Sequence, residues 1–143
     1  MIGRRSAIPR MSLILTILSL CALALHAKTT LLDEYDNSTR IDMHVGYTIS
    51  VKLKSNITTG FSWSITSAPP CLQLLDSKHD QNNSPRIGES GFQVFTFKAT
   101  NSCDSSLKMN YARPFEKDKP PAGTFWVDLA IQPWVTHELP SPK

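Results

Sequence analysis

The sequence contains few of the groups from which an active site is built. It has four histidines: His26 lies in an apolar N-terminal segment and His137 near the C terminus, and His44 and His79 have no Cys, Asp or Glu at ligand spacing on a common strand face. The G-x-S-x-G, H-E-x-x-H and phosphate-loop motifs are absent. We therefore predict no catalytic residues, no metal site and no cofactor, which argues against an enzyme.

Outside its N-terminal segment, the chain also has no excess of positive charge. The chain carries 15 Lys and Arg and 12 Asp and Glu, but residues 1–27 contain Arg4, Arg5 and Arg10 and no acidic residue. The remaining residues therefore carry twelve charges of each sign. A formally neutral chain gives no support for binding to nucleic acid, and the mixed-charge run 116–119 is predicted to be a solvated loop.

Residues 1–27 have the pattern of a secretory signal peptide. The basic start is followed by an apolar run over 11–24 and by small residues, so cleavage is predicted after Ala24 or Ala27. A retained membrane anchor is the alternative, but the run is shorter than the roughly 20 residues that a spanning helix needs. We expect export to the outside, the periplasm or a vesicular or lysosomal lumen, with no stable membrane insertion after cleavage.

Three cysteines are present, and Cys21 would be removed with the signal peptide. Cys71 and Cys103 remain, and an even number of cysteines in an exported protein favours a disulfide. Two unpaired thiols are the alternative.

Two-residue alternation dominates the rest of the chain, and no stretch there has the 3.6-residue period of a helix. The alternation is clearest over 47–54, where the odd-numbered residues are apolar and the even-numbered ones polar. We predict an all-β, immunoglobulin-like β-sandwich in a single domain over 28–143, with its core at about 41–132 and a polar tail at 133–143. About seven short strands are expected, over part of 28–40 and over 47–54, 61–66, 72–75, 92–99, 107–111 and 124–132.

The order of these strands predicts where the connecting segments lie. If successive strands run antiparallel, alternate connections fall at the same end of the sandwich, which groups 55–60, 76–91 and 112–123. The connections 67–71 and 100–106 fall at the opposite end, and each contains one cysteine. A disulfide between them therefore fits this topology.

Three short motifs lie in the grouped connections: Asn56-Ile-Thr-Thr-Gly-Phe-Ser-Trp63, Gly88-Glu-Ser-Gly91 and Arg113-Pro-Phe115. In their order, spacing and intervening strands they resemble the chagasin family of cysteine peptidase inhibitors, over about residues 41–131. The resemblance implies an immunoglobulin-like fold and a monomer whose three loops fill the active-site cleft of papain-like peptidases without being cleaved. The peptidase-binding residues that it implies are Asn56, Thr58, Thr59, Gly60, Phe61, Gly88, Ser90, Gly91, Arg113, Pro114 and Phe115.

By that resemblance, residues 58–60 would cover the catalytic Cys and His of the peptidase, and the other two motifs would grip the sides of the cleft. The predicted function is therefore an exported, reversible, tight-binding inhibitor of papain-like cysteine peptidases, such as papain and cathepsin L-like enzymes. A non-inhibitory immunoglobulin-like adhesion or recognition module is the alternative. Competition with a small active-site ligand of the peptidase separates the two.

The chain departs from the family pattern at three positions. Ile57 stands where the family has proline, which loosens the first connection in its free state. Ser90 replaces a glycine, and Phe115 in place of tryptophan keeps an aromatic face but loses area and an N–H donor.

The first departure also creates an acceptor sequence for N-glycosylation, Asn56-Ile57-Thr58. Two more begin at Asn37 and Asn82. A glycan on Asn56 would stand in the middle of the first motif. We expect Asn56 to be unmodified, either because the source does not modify it or because the tight turn hides it.

Overall fold

The alternating segments form β-strands that pack face to face in two layers. The computed structural model describes residues 28–80 and 90–134. The strands in the described residues are β1 (Thr29–Leu32), β2 (Thr39–His44), β3 (Thr48–Ser55), β4 (Ser62–Ser67), β5 (Leu72–Asp80), β6 (Gly91–Ala99), β7 (Cys103–Ala112) and β8 (Gly123–Gln132). One sheet has the strand order β1-β3-β6-β5 and the other β2-β8-β7-β4, which confirms the predicted all-β, immunoglobulin-like sandwich.

Several sequence predictions lie outside the described residues. These are the signal peptide over 1–27, the acceptor sequence at Asn82, Gly88 of the second motif and the tail beyond residue 134. Within the described part of the chain, none of the helices is long and apolar enough to cross a membrane.

The segment before residue 45 contains two strands where a single ragged strand and a loop were expected. β1 pairs in parallel with β3, and β2 pairs in parallel with β8 in the other sheet. Because the chain crosses from one sheet to the other between β1 and β2, neither strand forms a hairpin with its neighbour. In β2, Met43 is buried in the core, whereas Arg40 and Asp42 are exposed.

The core lies between the sheets and is built from alternate residues of the central strands. Ile49, Val51 and Leu53 of β3 are fully buried, as the alternation predicts. Each buried side chain of this size stabilises the fold by about 1.5–3 kcal/mol relative to its exposure. Phe95 and Phe97 of β6 lie beside these residues of β3 in the same sheet. The residues that face them from the other sheet are Leu107, Met109, Phe125, Val127, Leu129 and Ile131.

Strand pairing brings the ends of the three predicted connections together. Ser55 at the end of β3 pairs with Gly91 at the start of β6, and Ser62 at the start of β4 pairs with Ala112 at the end of β7. The strands that bound these connections therefore start or finish at one end of the sandwich, which we call the loop end. The connections are the first loop (56–61), the second loop (81–90) and the third loop (113–122).

A disulfide closes the sandwich at the opposite end. It joins Cys71, just before β5 in one sheet, to Cys103 at the start of β7 in the other, with the Cα atoms 6.3 Å apart. The two cysteines are separated by 32 residues in sequence. Closing a loop of that length stabilises a protein by about 3–4 kcal/mol on the chain-entropy model.

Replacing Cys71 by serine is therefore expected to lower the melting temperature, by on the order of 10 °C. Amide hydrogen exchange of residues 56–61 is expected to be unchanged under native conditions, because the disulfide lies at the far end. Calorimetry checks the first expectation. Ser102→Ala is the matched control and should melt like the wild type, and the reduced wild type should melt like Cys71→Ser. Equal melting temperatures for Cys71→Ser and the oxidised wild type would contradict the prediction.

Candidate functional site

The first loop is a single 3-10 turn, Ile57–Thr59, whose shape is set by its own side chains. Asn56 precedes the turn, and its Oδ1 accepts hydrogen bonds from the backbone N of Thr58 at 3.2 Å and from Thr58 Oγ1 at 2.6 Å. Thr59 Oγ1 donates to the carbonyl of Asn56 at 2.6 Å. Gly60 ends the turn with a φ of 79°, a left-handed conformation that favours glycine. The loop is therefore shaped by internal bonds, while Thr58, Thr59 and Gly60 remain exposed.

Aromatic rings support the base of the first loop. Tyr111 stacks on Phe61 with ring centroids 5.4 Å apart, and its centroid lies 5.1 Å from that of Trp63. Tyr111 Oη accepts a hydrogen bond from the backbone N of Asn56 at 3.0 Å. Trp63 Nε1 donates to the carbonyl of Lys54 at 2.9 Å. The residues on both sides of the turn are therefore bonded to this aromatic cluster.

A buried glutamine holds the strand that follows the first loop. Gln93 of β6 is 5% exposed, and its Oε1 accepts a hydrogen bond from the backbone N of Trp63 at 2.9 Å. Its Nε2 donates to the carbonyl of the same residue at 3.1 Å. The sequence analysis did not identify Gln93. The sequence signal that could have identified Gln93 is a polar residue at an inward position of a strand whose other inward residues include Phe95 and Phe97.

Arg113 connects the third loop to the first. Its Nε donates a hydrogen bond to the carbonyl of Thr59 at 3.1 Å. Its guanidinium carbon lies 4.5 Å from the ring centroid of Phe61, within the range of a cation–π interaction. Its Nη1 donates to Glu116 Oε1 at 3.2 Å. Two predicted site motifs, separated by about fifty residues in sequence, are thus in direct contact.

Phe115 extends this contact onto an exposed apolar surface. The side chain is 72% exposed, and a Cβ placed on Gly60 would lie 3.5 Å from its Cε1 atom. That distance is an ordinary contact, so the positive φ of Gly60, and not crowding, restricts substitution there. Ile57 on the first loop is 42% exposed. The loop end therefore presents two separated apolar side chains beside the polar residues 58–60.

Glu116 has a structural role that the sequence analysis did not foresee, because the run 116–119 was expected to be a solvated loop. Its Oε1 lies 3.2 Å from both Arg113 Nη1 and Lys119 Nζ. The hydrogen bond from Lys119, and secondarily the one from Arg113, hold the pKa of the Glu116 carboxyl below its ordinary value, although desolvation opposes this. Arg113 and Lys119 each lie three residues from Glu116 in the sequence, and this spacing is the signal that could have predicted the two ion pairs.

The second loop is described only at its C-terminal end, which contains Ser90. Gly91, the next residue of the same motif, is paired with Ser55 directly beside the first loop, and Gly88 lies outside the described residues. Lys52 of β3 contacts residues on both sides of the second loop. Its Nζ lies 4.3 Å from the ring centroid of Phe92 and 3.4 Å from Asp80 Oδ2. These contacts join the ends of the two strands that bound the second loop.

In the part of the chain that the structure describes, no group of three or more His, Cys, Asp and Glu side chains is arranged to hold a metal ion.

Residues 42–129 match the family model described as chagasin family peptidase inhibitor I42. This match spans more than half of the chain, so the protein belongs to the chagasin family, whose members are peptidase inhibitors and not enzymes. The resemblance inferred from the three motifs is therefore confirmed.

Proteins similar to this chain are known from amoebae. Amoebiasin-2 from Entamoeba histolytica is 24% identical over 117 residues, covering 79% of this chain and 93% of that protein. The crystal structure of the cysteine protease inhibitor EhICP2 from the same organism superposes with a TM-score of 0.70 at 21% identity, covering 75% of this chain and 98% of that one, and supports the fold alone. The solution structure of Amebosin gives a TM-score of 0.60 at 25% identity, covering 73% and 98%.

Lys119→Ala is expected to raise the pKa of Glu116 toward its ordinary value, because the bond from Lys119 is the largest cause of its lowering. A carboxyl with a lowered folded-state pKa stabilises the fold above its unfolded-state pKa and loses that effect as the pH falls through the folded-state value. The Arg113–Glu116 contact should therefore persist to a lower pH than it would for a glutamate with an ordinary pKa. Carboxyl carbon NMR measures the pKa directly. Lys117→Ala is the matched control, and equal shifts in both variants would contradict the prediction.

Ile57→Pro is expected to stabilise the protein by about 0.4–1 kcal/mol by restricting the unfolded chain. Ile57 is the first residue of its turn, a position that suits proline, and the preceding Asn56 is extended, with φ −119° and ψ 92°. The measurement is the free energy of unfolding in denaturant. Ile57→Ala, which removes the side chain without adding the ring, is the control. A proline variant less stable than the alanine variant would show that the turn does not accept the ring.

Proposed function

We propose that this protein is an exported, reversible, tight-binding inhibitor of papain-like cysteine peptidases that blocks the active-site cleft with its three loops. Membership in a family of peptidase inhibitors supports the general activity. The resemblance of the three motifs to those of the chagasin family of cysteine peptidase inhibitors supports this class of target. Papain and cathepsin L-like enzymes are the expected targets, and the protein acts as a monomer. The signal-peptide pattern of residues 1–27 supports export.

The observation that carries the proposal is the contact of Arg113 with the first loop. Through Nε and the guanidinium face, this one side chain bonds the carbonyl of Thr59 and covers the ring of Phe61. The first and third loops therefore form one continuous projection, with residues 58–60 at its exposed turn and Pro114 and Phe115 beside it. A projection of this kind is suited to a cleft, where Thr58, Thr59 and Gly60 would lie over the catalytic Cys and His.

The internal bonds of the first loop explain how it would block a peptidase without being cut. The carbonyls of Asn56, Ile57 and Thr59 accept hydrogen bonds from Thr59 N, Gly60 N and Arg113 Nε respectively. A substrate must offer its scissile carbonyl to the oxyanion-stabilising donors of the enzyme. Carbonyls engaged within the inhibitor, in a tight turn, are poorly presented for such attack.

The same bonds favour high affinity. A loop that is ordered before binding loses little conformational entropy when the complex forms. The exposed rings and aliphatic groups at Phe115 and Ile57 supply apolar surface to bury, and Phe115 is of the type found at interface hot spots. Gly88, Ser90 and Gly91 of the second loop would contact the opposite side of the cleft. Because all these contacts are non-covalent, the inhibition is reversible.

The test is a titration of papain, and of a cathepsin L-like peptidase, with the mature protein from substoichiometric to excess ratios. Residual activity should fall to zero near one equivalent, the inhibitor should remain uncut on a gel, and a small active-site ligand should compete. The double variant Thr59→Trp, Gly60→Val should lose inhibition but keep its fold, as judged by circular dichroism. Asn101→Trp, Ser102→Val, which alters the exposed connection at the far end, is the matched control and should inhibit normally.

Absence of inhibition by the folded wild-type protein would overturn the proposal and favour a recognition module. Full inhibition by the Thr59 and Gly60 double variant would instead show that the first loop is not the part that enters the cleft.

A further inference from the structure

A fourth connection also reaches the loop end. It is the segment 33–38 between β1 and β2, which we call the acidic turn because it contains Asp33, Glu34 and Asp36. β1 runs parallel to β3, with Leu32 beside Val51, so it finishes toward the same end as β3. β2 runs parallel to β8, so both strands start toward the same end of the sandwich. That end is the loop end, because β8 begins directly after the third loop.

Hydrogen bonds fix the acidic turn to the strands that carry the first and third loops. Glu34 Oε1 accepts from the backbone N of Lys54 at 2.9 Å, two residues before Asn56. Asn37 Nδ2 donates to the carbonyl of Thr124 at 3.2 Å, two residues beyond the end of the third loop. The acidic turn thus lies beside the proposed projection and is attached to both sheets.

The acidic turn is preformed in the same way as the first loop. Asp33 Oδ1 accepts a hydrogen bond from the backbone N of Tyr35 at 2.8 Å. The Asp33 side chain also accepts from the backbone of Asp36, and Asp36 Oδ2 accepts from the backbone N of Asp33 at 2.8 Å, which makes a reciprocal capping box. Thr39 Oγ1 donates to the carbonyl of Asp36 at 2.6 Å. A partner that binds this turn would therefore gain contacts with little cost in ordering.

Tyr35 stands exposed on this rigid turn. It is 93% exposed, more than any other large apolar side chain of the described residues. A single exposed apolar residue is ordinary on a protein surface. A tyrosine on a fixed turn, adjacent to binding loops, is nevertheless the kind of side chain that supplies area at low entropic cost in interfaces.

We propose that the acidic turn is a fourth contact with the same peptidase, in which Tyr35 packs on an apolar surface of the enzyme beside its cleft. This inference rests on the proposed inhibitory function and deepens it. The three loops block the cleft, and Tyr35 adds a contact outside it that slows dissociation.

The test compares wild type, Tyr35→Ala and the matched control Leu75→Ala in binding to papain. Leu75 is also exposed but lies on β5, the strand at the opposite edge of the sheet that contains β1. Tyr35→Ala should increase the dissociation rate constant about tenfold with little change in the association rate constant, since interface substitutions act mainly on dissociation. The melting temperature should not change, and Leu75→Ala should dissociate like the wild type.

A second measurement detects the contact directly. A photo-crosslinking benzoylphenylalanine at position 35 should capture papain, whereas the same group at position 75 should not. Inhibition of papain by the wild type and Tyr35→Ala with equal dissociation rates, and no crosslink from position 35, would overturn the fourth contact and leave the proposed function intact. If the wild type inhibits neither papain nor a cathepsin L-like peptidase, both proposals fall.

Discussion

The structure of the loop end depends on the two hydrogen bonds between the buried side-chain amide of Gln93 and the backbone of Trp63. They join β6 of one sheet to β4 of the other at the point where β4 leaves the first loop. Losing this amide would remove the partner of the partly buried backbone N and carbonyl of Trp63, at a cost of at most about 1–3 kcal/mol. With its backbone held, Trp63 packs on Tyr111, and Tyr111 bonds the backbone N of Asn56. A polar group in the core therefore determines how the exposed turn is presented.

The choice of arginine at position 113 has a physical reason in this arrangement. Its planar group simultaneously donates to a carbonyl, lies over an aromatic ring and bonds a carboxylate, at Thr59, Phe61 and Glu116. A lysine has a point charge and no flat face, so it would satisfy only part of this set. Glu116 and Lys119 extend the network along the third loop. The third loop thus holds the first loop in position, in addition to any contact that it makes with a partner.

The sequence predicted the parts of the fold that local pattern determines. Alternation identified β3 and its buried face of Ile49, Val51 and Leu53, and the order of strands predicted that the three loops share one end. It missed β2, because Ile41 and Met43 are only two apolar residues among charged ones and their parallel partner, β8, is more than eighty residues away. Gln93 and Glu116 were missed for a related reason: their roles depend on partners in other strands or across a turn, which alternation does not reveal.

The stabilising contacts and the exposed residues of the loop end occupy different parts of the sandwich. The disulfide and the aliphatic core stabilise the far end and the centre, whereas the loop end exposes Phe115, Ile57 and Tyr35 to solvent and keeps a glycine in a left-handed conformation. Exposed apolar side chains contribute little to folding, so folding does not determine their identity and they can be buried against a partner. Because the first loop is shaped by its internal hydrogen bonds and held by Tyr111 and Arg113, its exposed residue Ile57 can differ from the family pattern without disturbing the sandwich beneath it.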